Sequence, residues 1–312
     1  MGAYLFVHFI GKENNENCEQ VYFSVSKDGK KWELLNSKKP VLKSNIGERG
    51  VRDPFLVRSH DGKKYYIIAT DLSIYHRRNQ TDCWKKCTEE GSRDIIVWES
   101  KDLVSWSEPE AVKIAPDNTG CAWAPEATYD KDTGKYLVYF ASKTADDNYG
   151  YNRMYSAYTD DFKNFTPAKK YIDHATDEDI KNGKGASDID TTIIEHNGVY
   201  YRFTKNETKS SVVMDRSEHL GHGWERVSTY NLDEMVGYEG PTIFKFHNED
   251  KWCLMLDHFA EKKGYEPFIT DDITKGVFTK NGECEFGEIY RHGSVIPITD
   301  AEYKKLVDTY GK

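Results

Sequence analysis

The sequence predicts an all-β fold, a five-bladed β-propeller in which strands from the two ends of the chain close one blade. Three observations predict it. Only 38% of the 312 residues are apolar while 13% are aromatic, with 21 Tyr and 7 Trp, so the core must come from many short, aromatic-rich segments. A two-part unit recurs along the chain at intervals of roughly 50 to 70 residues. One half of that unit occurs five times and the other only four times between residues 21 and 278.

The inner half is a turn residue, an apolar strand, a polar or Gly-containing turn and an aromatic strand. It reads as Asp53-Pro54-Phe55-Leu56-Val57 with Tyr65-Tyr66-Ile67-Ile68, and as Pro125-Glu126-Ala127-Thr128-Tyr129 with Tyr136 to Phe140. The third and fourth copies are Asp190-Thr191-Thr192-Ile193-Ile194 with Val199 to Phe203, and Glu239-Gly240-Pro241-Thr242-Ile243-Phe244 with Trp252 to Leu256. Asp61-Gly62, Thr133-Gly134, Asn197-Gly198 and Asn248-Glu249-Asp250 supply the hairpin turns.

The outer half is a strand, a short polar turn and an aromatic, as in Val21 to Trp32, Ile95 to Trp106 and Met154 to Phe165. Looser copies run from Val212 to Trp224 and from Pro267 to Phe278. The missing inner strand is supplied by His292-Gly293-Ser294-Val295-Ile296-Pro297-Ile298, completed by Tyr4 to Phe9 and the strands near Val21. Such closure removes the open edge between first and last units, and makes 1–312 one domain.

The net charge of −9 disfavours nucleic acid and anionic membranes as partners, and a small neutral ligand fits better. No apolar run of roughly eighteen residues is present. The opening Met1-Gly2-Ala3-Tyr4-Leu5-Phe6 lacks the marks of an export signal, so a cytoplasmic location is expected, or secretion if a signal has been trimmed. The six cysteines have no zinc-site spacing; Cys83 and Cys87 are either a local bridge or free thiols.

In a propeller the inner strands of all blades converge on one mouth of the central channel. Asp53, Trp123-Ala124-Pro125-Glu126, Asp190, Glu239 and His292 stand at those openings, with Asp53, Asp190 and Glu239 expected at one phase of the repeat. Each returning strand comes back to the same rim, making Asp71, Lys143, Lys205, Asp257 and His258 candidate contacts. Singly, an acid beside Pro or Gly is most often a turn residue. Three from three blades around one space point instead to acid and base work at an acetal, with no cofactor required. Glu239, with the longer reach, suits a proton donor; Asp53, held by Pro54, suits a base that activates water.

These residues resemble glycoside hydrolase family 43, five-bladed propellers acting mainly on arabinose- and xylose-containing polysaccharides. The resemblance spans nearly the whole chain. It is carried by Arg52-Asp53-Pro54-Phe55, Trp123-Ala124-Pro125-Glu126, Ile189-Asp190-Thr191, Glu239-Gly240-Pro241 and Arg291-His292-Gly293-Ser294. It implies an inverting reaction with Asp53 as general base, Glu239 as general acid and Asp190 as the carboxylate tuning the acid. Thr191 stands where members often have Pro, and Asp188 is a rival for the role of Asp190.

His292 matches a channel histidine, so the resemblance implies a calcium ion or a water there. Trp123, Asp71, Arg291 and His258 are the expected substrate contacts. The insertion from Ser73 to Arg93, with Trp84, is expected to overhang the mouth and favour exo action. The flavour of the whole chain resembles the α-L-arabinofuranosidase-type members; β-D-xylosidase and β-D-galactofuranosidase are the alternatives within the fold. A non-catalytic carbohydrate-binding propeller is the alternative outside it. The turns around Asp28 resemble sialidase Asp-boxes but read as structural.

Overall fold

The computed structural model describes residues 2–311 apart from 248, 281 and 283, so the expected turn at Asn248-Glu249-Asp250 lies partly outside the described residues. Five four-stranded antiparallel sheets surround one axis. The first begins with β1 (Gly2–Ile10), β2 (Tyr22–Ser26) and β3 (Glu33–Leu34). The second is β4 (Val51–Arg58), β5 (Tyr65–Asp71), β6 (Asp94–Ser100) and β7 (Glu110–Lys113). Between β5 and β6 lie two short helices, α1 (Ile74–Arg77) and α2 (Cys83–Glu89). The third blade is β8 (Trp123–Asp130), β9 (Lys135–Lys143), β10 (Asn152–Thr159) and β11 (Lys169–Ile172).

After α3 (Asp177–Lys181) the fourth blade follows as β12 (Asp188–His196), β13 (Val199–Asn206), β14 (Ser211–Ser217) and β15 (Glu225–Arg226). The fifth is β16 (Glu239–Lys245), β17 (Trp252–Asp257), β18 (Tyr265–Thr270) and β19 (Thr279–Lys280). Last come β20 (Tyr290–Thr299) and α4 (Asp300–Tyr310). β20 pairs antiparallel with β1 from Gly2↔Thr299 to Ile10↔Tyr290 and becomes the inner strand of the first blade, the closure expected from the sequence.

Each seam between neighbouring blades has its own apolar cluster. Leu5 and Phe23 of the first blade meet Ile67 and Trp98 of the second, for example, and Tyr4 and Phe6 meet Phe244 and Met255 of the fifth. The outer turns are structural. Ser26 Oγ accepts from Gly29 N at 2.9 Å and Asp28 Oδ1 from Lys30 N at 2.8 Å, and Ser100 with Asp102 and Thr159 with Asp161 repeat the pattern. All six cysteines are free thiols, Cys83 and Cys87 lying one turn apart on α2.

The feature that builds the mouth is a bulge repeated in every inner strand. The ladder slips between Arg52 and Phe55, Trp123 and Glu126, Ile189 and Thr191, and Glu239 and Thr242, and it passes over His292 in β20. At the first four slips Asp53 (φ 52°), Ala124 (φ 47°), Asp190 (φ 51°) and Gly240 (φ 53°) adopt the left-handed conformation. A bulge re-aims a side chain, and strained backbone of this kind gathers at functional sites. Asp53 and Asp190 share this phase, but Gly240 occupies it in the fifth blade. Glu239 therefore sits one residue earlier, at the phase of Arg52 and Arg291, which corrects the expectation of one common phase.

Candidate active site

The inner strands open into a cavity of about 700 Å³, a volume suited to a small ligand, lined by Asp53, Asp190, Glu239, Arg291 and His292 among others. The His292 imidazole lies at its floor. Nδ1 is 3.4 Å from Asp53 and 3.7 Å from Asp190, and Nε2 is 3.7 Å from Glu126. Burial opposes a charged imidazole, but Asp190, Asp53 and Glu126 outweigh it and hold the ring protonated well above its usual range.

The acids around that cation differ in setting. Asp53 accepts from Thr70 Oγ1 at 2.9 Å, and that hydroxyl in turn accepts from Ala124 N of the next blade at 2.7 Å. Burial pushes its proton affinity up, yet His292, Arg52 and Thr70 together bring it below the ordinary carboxylate range. Asp190 accepts from Gly240 N at 3.1 Å, so it braces the bulge that follows Glu239. Burial, with help from Glu239 and Asp53 and against His292, pushes Asp190 up to about 6.

Glu239 has both oxygens engaged, Oε1 by Arg291 at 2.9 Å and Oε2 by Lys205 Nζ at 2.8 Å. Burial would raise it, but these two cations hold it below its usual value. Arg291 is itself anchored by the fully buried Asp257. Asp53 and Glu239 thus enter one cavity from separate blades with no shared hydrogen-bond partner, one ready to accept a proton and one clamped between cations.

The rim is aromatic. Trp84 of α2 is half exposed and meets Trp123 edge-on at 6.2 Å between ring centroids. The Arg52 guanidinium lies 4.6 Å from the Phe9 ring centroid and 5.5 Å from that of Trp84, and is tied to Glu13 at 2.6 Å and Glu19 at 2.9 Å. Phe259 forms another part of the wall, 4.5 Å from Lys205 Nζ. Of the insertion from Ser73 to Arg93, expected to overhang the mouth, Trp84 lines the cavity.

Of the expected contacts, Trp123, Lys205 and Arg291 line the cavity and Asp71, Lys143, Asp257 and His258 do not. Asp71 accepts from Glu48 N at 2.8 Å beneath the preceding loop. Side chains alternate along a strand, so the β5 residue that reaches the site is its neighbour Thr70. His258 stacks on Tyr238 at 4.2 Å and opens the turn that carries Phe259 to the wall. Asp188, the rival of Asp190, is buried against His174 Nδ1 at 3.0 Å. Thr70, Phe9, Glu13, Glu207 and Phe259 were not anticipated as site residues; of these, only the aromatic pair carried a sequence signal, as stacking types near strand ends.

His292, the residue the resemblance connects with calcium, has both ring nitrogens turned to carboxylates, Nδ1 to Asp53 at 3.4 Å and Nε2 to Glu126 at 3.7 Å. Among the described residues no group of three or more His, Cys, Asp or Glu is arranged to hold a metal. Another cavity, of about 670 Å³ between outer strands of the second and third blades near Glu99 and Lys163, lies away from the acids.

A family model described as a probable glycosyl hydrolase domain matches residues 1–304. An α-L-arabinofuranosidase of Bifidobacterium longum subsp. longum is 29% identical over 317 aligned positions, covering 86% of this chain and 28% of that protein, so the chain spans little more than a quarter of the relative. A solved structure described as an endo-1,4-β-xylanase from Bacteroides thetaiotaomicron superposes with a TM-score of 0.60 at 18% identity over 94% of this chain and 93% of the other. The catalytic domain of a Coprinopsis cinerea GH62 α-L-arabinofuranosidase gives 0.54 at 12% identity over 79% and 72%. These two likenesses establish the propeller fold.

Proposed function

Because this chain belongs to the family of probable glycosyl hydrolase domains, related to glycoside hydrolase family 43, we propose that it is an inverting, exo-acting hydrolase releasing terminal α-L-arabinofuranose. The observation that carries the reading is the pair Asp53 and Glu239, two carboxylates of one cavity fixed independently by Thr70 and His292 and by Lys205 and Arg291. Inversion needs such a pair, set apart so that a water fits between one of them and the sugar.

In this mechanism the ionised Asp53 takes a proton from water as the water oxygen bonds to the anomeric carbon. The bond to the leaving oxygen breaks on the opposite face, and Glu239 protonates that oxygen. Asp190 acts through the Gly240 amide, keeping the bulge and hence Glu239 in place. The aromatic wall around Trp84 closes one side of the cavity and supports release of a single terminal unit. The name of the Bifidobacterium relative supports arabinofuranose as that unit.

The test is release of nitrophenol from nitrophenyl α-L-arabinofuranoside, β-D-xyloside and β-D-galactofuranoside, with NMR of the first-formed anomer. Arabinofuranose of inverted configuration is expected. Asp53→Asn should lower kcat by about a thousandfold or more, and Glu239→Gln should do so on an unactivated oligosaccharide. Retained configuration, or full activity in Asp53→Asn, would overturn the assignment.

A further inference from the structure

A carboxyl group must take up a proton before it can act as an acid, and both oxygens of Glu239 bond a cation. Oε1 faces Arg291 and Oε2 faces Lys205. Each oxygen keeps a second lone pair, but two adjacent cations oppose protonation, so withdrawal of one favours it, and the surroundings of the two are unequal. Arg291 is pinned through Nε to fully buried Asp257 and lies 5.6 Å from the Phe9 ring centroid. Lys205 has a second acceptor on the solvent side, Glu207 Oε2 at 2.7 Å, whose side chain is 41% exposed while that of Lys205 is 5% exposed. A lysine is a point charge on a flexible stem, whereas an arginine fork is fixed by its geometry.

We propose that Lys205 is a movable counter-ion of Glu239, which leaves Oε2 for Glu207 when a sugar fills the cavity and so frees that oxygen to take up and deliver the proton. The inference rests on the reading of Glu239 as the acid. Lys205 is then a positioning residue and Glu207 its alternative seat. The other charged groups facing the pair are Asp190 from β12, Arg52 from β4 and, on the far side of Arg291, Asp257 from β17. None of these offers Lys205 an ion pair of the length it makes with Glu207.

The distinguishing measurement is the pH dependence of kcat/KM against that of kcat, on an arabino-oligosaccharide whose leaving group needs protonation. The first reports the free enzyme and the second the complex. In the wild type the basic limb of kcat should lie above that of kcat/KM by about one unit, the effect of losing one adjacent cation. In Lys205→Met the two limbs should coincide at the higher value. In Glu207→Gln they should coincide at the lower value, because Lys205 has nowhere to go.

Coincident limbs in the wild type overturn the proposal, as do equal losses at every pH in both variants with the split intact. If Lys205→Met fails to fold, Glu207→Gln, altering a partly exposed group, decides alone: a retained split overturns the proposal. Glu239→Gln separates this from the parent reading. A basic limb that survives in Glu239→Gln belongs to another acid, and the function assigned to Glu239 fails with it.

Discussion

One carboxylate oxygen of Glu126 is buried without a hydrogen-bond partner, and the other lies 3.7 Å from His292. Burial pushes this acid up to about 7, against His292, which pulls it down. The folded group binds its proton more tightly than the unfolded one, so its contribution to stability is present below its ordinary value of 4.5 and is lost as pH rises through about 7. Glu126→Gln should therefore gain Tm relative to the wild type as pH goes from about 5 to about 8. Melting curves at several pH values read this difference, and a constant offset would show that the folded carboxylate is ionised throughout, its proton affinity not raised by burial. At this scale the sequence was legible wherever a residue type announced itself: Asp53, Asp190, Glu239 and His292 all reach the cavity. It was illegible where one step along a strand decides which face a side chain takes: Thr70 reaches Asp53, while Asp71 beside it turns to the Glu48 amide.

The bulge is an element-scale device, and it explains why phase could not be read from the repeat. An extra residue in an inner strand changes which side chain points inward, and Pro54, Pro125 and Pro241 mark three of the slips, while those beside Thr191 and Gly293 carry no proline. Gly240 could not be replaced cheaply here, since its φ is 53° and a Cβ would stand 2.8 Å from the His292 ring. The helix α4 was missed although Thr299 and Glu302 form a capping box that the sequence displays. The insertion helix α2 was foreseen as an overhang but not as a helix. Its Trp84 should act on binding: Trp84→Ala should raise KM on an arabino-oligosaccharide by about tenfold with little change in kcat. An unchanged KM would mean that the half-exposed ring touches no substrate.

Over the whole molecule, stability depends on five seams that support one another round a ring, and the pairing of β1 with β20 completes it. At Gly293 the two strands leave no room for a side chain: a Cβ there would lie 2.1 Å from the Val7 carbonyl oxygen. Gly293→Ala should lower Tm by about 10 °C or more and abolish activity together, because one clash opens the blade and displaces Arg291 and His292. Loss of activity with an unaltered melting curve would instead confine the damage to the mouth. The fold at this scale was the most legible of all, since the count of five outer halves against four inner ones could be balanced only by bringing distant strands into one sheet.

The same pairing has a consequence for biosynthesis. Translation makes Asp53, Glu126, Asp190 and Glu239 long before it makes Arg291 and His292, the cations that face them. A nascent chain that has not yet delivered β20 carries inner strands β4 and β16 without the neighbour that separates them, and an unpaired edge on β1. Its acids have no imidazolium at their centre. On the proposed mechanism, catalytic competence awaits the pairing of the strand ending at Thr299 with β1, which brings Arg291 and His292 to the acids.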